Sequence, residues 1–100
     1  MSEDLKRRFH EEMRRTYREA AEFGYRPTYF LRMVEELGGV EAAKALLRKG
    51  ISDGLERLAH EERLDISMEH LVLTEPWSQL FTDEEKKLAR WALETVKAGG

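Results

Sequence analysis

Between positions 2 and 23, Leu5, Phe9, Met13, Thr16, Ala20 and Phe23 return at steps of three and four, which predicts a helix of about six turns with one buried face. Its other face is charged, and Glu3/Arg7, Asp4/Arg8 and Glu11/Arg15 stand at the i,i+4 spacing with the acid first. Ser2 suits the N-cap and Gly24 the stop. After Tyr25-Arg26-Pro27, a second helix carries the stripe Phe30, Met33, Val34 and Leu37 and ends at Gly38. A third opens at once on Gly39, with Val40, Ala43, Leu46 and Leu47 inward and three small alanines at 42, 43 and 45. Gly50 stops it, with Ile51 placed to pack back on Leu46.

Ser52 or Asp53 caps a fourth helix that buries Leu55, Leu58 and Ala59, and Gly54 inside it points to a close backbone approach. Ser67 caps a fifth, with Ile66 and Leu71 spaced as a hydrophobic staple, and Thr74-Glu75-Pro76 ends it. Trp77, Leu80 and Phe81 form a short apolar turn. Thr82 and Glu85 form the clearest capping box in the chain and open a last helix on Leu88, Trp91, Ala92 and Val96, which frays at Gly99 and Gly100. No segment alternates apolar and polar residues as a strand does, and no linker interrupts the pattern. The expected fold is all-α, a single domain over residues 1–100: a compact bundle of five main helices with a possible short sixth. The long N-terminal helix is expected to pack on a central helix pair within the stretch Leu37 to Leu73.

Composition narrows the functions. The chain has no cysteine, which removes disulfides, thiolate nucleophiles and cysteine-ligated zinc, and suits a reducing compartment. An acidic start and the lack of an apolar run of about 18 residues make secretion and membrane insertion unexpected, leaving the cytoplasm as the expected location. The net charge of −3 is uneven: seven basic against six acidic side chains in residues 1–26, five against five in 27–60, five against nine in 61–100. No compact basic field results, and nucleic-acid affinity depends on one.

Candidate chemistry is sparse. His10, His60 and His70 have no ligand or catalytic partner at motif spacing, and no phosphate loop, dinucleotide motif or nucleophile elbow is present, so neither enzyme activity nor a metal or cofactor is expected. The third and fourth helices have helix-turn-helix spacing, but Asp53, Glu56 and Glu61 on the would-be recognition helix oppose phosphate contact. The remaining cations, Arg7, Arg14, Arg18, Lys44, Arg48 and Lys49, form the alternative nucleic-acid surface. Aromatics are the better lead. Phe9, Phe23, Phe30, Phe81 and Trp91 fit core stripes, whereas Tyr17, Tyr25, Tyr29 and Trp77 fall beside them or in connections. His10, Tyr17, Tyr25 and Tyr29 therefore read either as rim packing or as a surface for a protein partner or a second copy, and the second reading makes the chain a non-catalytic interaction module.

Several blocks also resemble a known pattern: Phe30-Leu31-Arg32-Met33-Val34, Gly38-Gly39-Val40-Glu41-Ala42-Ala43-Lys44-Ala45-Leu46-Leu47, Gly54-Leu55 with Leu58, Arg63-Leu64-Asp65-Ile66-Ser67-Met68-Glu69-His70-Leu71-Val72-Leu73, and Leu80-Phe81-Thr82 with Glu85 and Ala89-Arg90. Over roughly residues 27–92 the chain resembles a small helical domain of uncharacterised bacterial proteins, found alone or appended to larger chains, some associated with nucleic-acid processing or defence. The resemblance implies no catalytic residue. Caps and core explain most of the shared positions, which leaves Arg63, Asp65 and Arg90 as an expected buried or half-buried polar network.

Overall fold

A computed structural model describes residues 2–99, and these are mostly helical. The side chain of Ser2, expected as a cap, and Gly100 lie outside that description. Among the described residues six α-helices follow in order: α1 (Ser2–Glu22), α2 (Thr28–Leu37), α3 (Gly39–Lys49), α4 (Asp53–His60), α5 (Met68–Val72) and α6 (Asp83–Gly99). Short 3-10 turns at Leu64–Ile66 and Trp77–Leu80 lead into α5 and towards α6, and no strand occurs among the described residues.

Glycine sets the corners. Gly24, Gly38 and Gly50 all have φ near +90°, a conformation that costs a residue with a Cβ about 1 kcal/mol or more, and each ends a helix at the expected place. The helix pair under α1 is α2 and α3, joined through Gly38 alone. The main core lies between them and α5 and α6: Phe9 and Met13 of α1, Val34 of α2, Leu47 of α3 and Val72 of α5 are all buried there. Phe9 meets the Phe81 ring edge-on at 5.3 Å and the Trp77 ring at 6.1 Å.

Two smaller clusters hold α4. Leu55 packs with Ala92, Leu93 and Val96 of α6, and Leu58 packs with Ala20 and Ile66. Ile51 joins the first of these, so the chain after Gly50 packs on α4 and α6. Ser52 is the cap of α4, its Oγ accepting from the Leu55 amide at 3.1 Å. Ile66 is buried with Ala20 and Leu58, Leu71 packs half-buried against the main core, and both line one groove at the surface.

The expected face of α6 is turned. Leu88 and Trp91 are 37% and 51% exposed, while Glu85, Ala89 and Leu93 are buried beside Ala92 and Val96. The cause is close packing: fully buried Ala42, Ala43 and Ala89 share the central cluster, so small side chains take the positions that bulk alone assigned to Leu88 and Trp91.

The expected capping box forms in full. The Thr82 amide donates to Glu85 Oε1 at 2.9 Å and the Glu85 amide to Thr82 Oγ1 at 3.1 Å. Glu85 Oε1 also accepts from Lys44 Nζ at 2.8 Å, which ties the start of α6 to α3.

Candidate functional site

The start of α5 is fixed by Ser67. Its fully buried hydroxyl donates to the Leu64 carbonyl at 2.8 Å and accepts from the His70 amide at 3.1 Å, so the 3-10 turn and the helix share one hinge residue. The turn carries Met68 and Glu69 into the protein, to 5% exposure each.

Glu69 faces a cavity of about 290 Å³. The wall is mainly apolar and is assembled from five separate stretches: Thr16 and Ala20 at the end of α1, Tyr25 and Pro27 in the connection, Tyr29 and Phe30 at the start of α2, Leu46 of α3, and Leu55 and Leu58 of α4. Burial pushes the Glu69 carboxyl from 4.5 to about 7, with only its own backbone amide acting in the other direction. No ion pair reaches Glu69 among the described residues, although cations stand close to the rim. Lys49 lies 4.7 Å from the Tyr29 ring centre and donates to its hydroxyl, and Arg57 lies 5.2 Å from the Tyr25 ring centre.

Tyr25 acts as a wedge between the end of α1 and the start of α4. Its hydroxyl approaches Gly54 so closely that a Cβ there would sit 2.9 Å away, so a larger residue at 54 displaces the Tyr25 tip. Burial raises the Tyr25 phenol, the nearby Asp53 carboxylate raises it further, and Arg57 opposes both.

The tyrosines expected to form a partner surface therefore divide. Tyr25 and Tyr29 line the cavity, Tyr29 with 53% of its surface exposed at the mouth. Tyr17 is half-buried on α1 and lines neither the cavity nor its rim. His10 lies elsewhere, accepting the Gly39 amide on Nδ1 at 2.9 Å where α1 crosses the start of α3. His60 stands on the edge of a separate open groove with Glu56 and Glu62, and His70 is exposed. Among the described residues no group of histidines and carboxylates is placed to hold a metal ion.

The cations expected to touch nucleic acid are mostly engaged. Arg7 pairs with Asp4 at 2.5 Å, Arg14 with Glu35 at 3.3 Å and Glu11 at 3.6 Å, Lys44 with Glu85 at 2.8 Å, and Arg48 lies 3.9 Å from Glu85. Lys49 is held on Tyr29, and Arg18 stands exposed. On α1, Asp4 and Arg8 pair as expected at 3.8 Å, whereas Glu3 turns to Lys6 and Glu11 to Arg14.

The expected buried network of Arg63, Asp65 and Arg90 is instead a surface pair. Arg63 Nε donates to Asp65 at 3.1 Å, and this hydrogen bond holds the carboxylate below its usual range, while Arg90 is exposed on α6. Glu69 escaped the sequence reading because an acid in the first turn of a helix reads as a complement to the helix dipole. The signal was its register: it stands three residues after Ile66 and three before Val72, on an otherwise apolar stripe.

In comparisons with family models, curated proteins and solved structures, nothing matches this chain. The site is read from its own residues.

Proposed function

We propose that the protein is a non-catalytic interaction module that receives one anchor side chain of a protein partner in the cavity beside Glu69. The observation that carries this is a mainly apolar cavity with an exposed tyrosine at its mouth and the buried Glu69 carboxyl, which has no ion-pair partner among the described residues. Its volume of about 290 Å³ is at the lower limit of small-molecule pockets, which run from about 300 to 1,000 Å³, so it suits a single side chain better than a cofactor. Tyr25 and Tyr29 supply rigid contact area with a polar tip, the usual equipment of an interface. The cysteine-free composition supports a cytoplasmic location, and no helix among the described residues is long and apolar enough to cross a membrane.

The alternative, an accessory nucleic-acid contact, draws less support, because most of its cations already have partners within the molecule. Capture from lysate separates the two. Wild type and Leu46→Phe, which narrows the cavity, are compared with and without nuclease at two salt concentrations. A protein retained by wild type through nuclease and high salt, and lost by Leu46→Phe, is the expected result. Capture abolished by nuclease and salt but indifferent to Leu46→Phe would reject the cavity in favour of nucleic acid.

A further inference from the structure

The chemistry of the cavity also says which side chain fits it, on the reading of the cavity as an anchor site. Its base and its walls make different demands. At the base, Glu69 is 5% exposed, and a carboxylate in that position is tolerated only with a counter-charge or hydrogen-bond donors. Among the described residues no such cation is supplied, since Lys44 is spent on Glu85, and Lys49 and Arg57 lie against the rings of Tyr29 and Tyr25. The walls ask for an apolar stem, provided by Phe30, Leu55 and Leu58. Thr16 on the α1 side and Ser52 and the exposed Asp53 at the start of α4 also line the cavity, so Glu69 is its buried carboxyl and Asp53 stands at the solvent edge.

We propose that the occupant is a lysine side chain of a protein partner, its stem lying along Phe30, Leu55 and Leu58 and its ammonium reaching the Glu69 carboxylate. Lysine is favoured over arginine by what is already in place. A guanidinium gains most from stacking on an aromatic face and from a two-pronged carboxylate contact, and the faces of Tyr25 and Tyr29 already carry Arg57 and Lys49. A compact ammonium on a flexible stem needs neither face.

The test uses the full chain and two probes of equal length, n-hexylammonium and n-hexanol, titrated at pH 8 while amide chemical shifts are followed by NMR in wild type and Glu69→Gln. The ammonium is expected to bind about tenfold more tightly than the alcohol, with shifts at Thr16, Phe30, Leu55 and Glu69, and the preference is expected to vanish in Glu69→Gln. Equal binding of both probes in the cavity would overturn the lysine assignment and leave the anchor site standing, with a neutral apolar side chain as its occupant. Failure of both probes to move the cavity amides would overturn the anchor site itself. Ammonium shifts scattered over surface carboxylates and unchanged in Glu69→Gln would also reject the assignment. The wild-type comparison of the two probes does not depend on how the variant folds.

Discussion

Gly39 and Gly54 each stand where another part of the chain presses on a helix, yet a methyl group added to each meets a different obstacle. At Gly39 a Cβ would lie 2.6 Å from the Cα of His10, backbone against backbone, and neither helix can yield without separating α1 from α3. Gly39→Ala is expected to cost about 1–3 kcal/mol in denaturant unfolding, and a change under about 0.5 kcal/mol would show that the crossing is looser than described. At Gly54 the obstacle is the tip of the Tyr25 side chain, which can swing. Alanine there also gains up to about 1 kcal/mol of helix propensity. Gly54→Ala is therefore expected to leave stability within about 1 kcal/mol of wild type while displacing Tyr25, visible as a shift of its ring resonances. A glycine inside a helix pattern does announce close approach, but only the folded neighbours reveal whether backbone or side chain is approaching.

Helix ends were the most legible elements, because their causes are local. Gly38, Gly50, Ser52, Ser67 and the Thr82/Glu85 box all act through backbone conformation or a hydrogen bond three residues away. The buried face of α6 was less legible, since Leu88 and Trp91 offer more apolar area than Ala89 and lose only because α6 lies too close to its neighbours for large side chains. The second role of Glu85 was also hidden: Lys44 lies 41 positions away in sequence. Burial on its own would raise the Glu85 carboxyl, but the bonds from Lys44 and Thr82 outweigh it and hold the group below its usual range. The folded state thus favours the ionised form, so this contribution is present at neutral pH and is lost as pH falls below the ordinary carboxylate range. Thr82→Ala, which removes one cap bond, is expected to cost about 1 kcal/mol. Glu85→Ala removes the reciprocal bond and strands Lys44 as well, so about 2–3 kcal/mol is expected at pH 7, with the difference from wild type shrinking in acid. Equal costs for the two variants would mean that the Lys44 pair contributes nothing.

For the molecule as a whole, Glu69 is an expense. A chain of 100 residues has a net stability of roughly 5–15 kcal/mol, and a carboxyl raised from 4.5 to about 7 subtracts about 3 kcal/mol from it once ionised. The sign follows from the direction of the shift: the folded state prefers the neutral acid, so nothing is lost below pH 4.5, the loss grows as pH rises towards 7, and it stays constant above. Glu69→Gln is therefore expected to match wild type near pH 4 and to exceed it by about 3 kcal/mol at pH 8. Leucine at this place would carry no such cost, and a stability cost of this kind is characteristic of positions kept for binding. No local pattern could have shown this, because the wall around Glu69 comes from α1, α2, α3 and α4 together and exists only after they have packed. The most direct measurement is the titration of the Glu69 side-chain carboxyl by carbon NMR in the free protein. A midpoint near 7 is expected of an unpaired acid at the base of an apolar cavity; a midpoint near 4.5 would mean that water or a counter-charge reaches it, and the site proposed here would not exist.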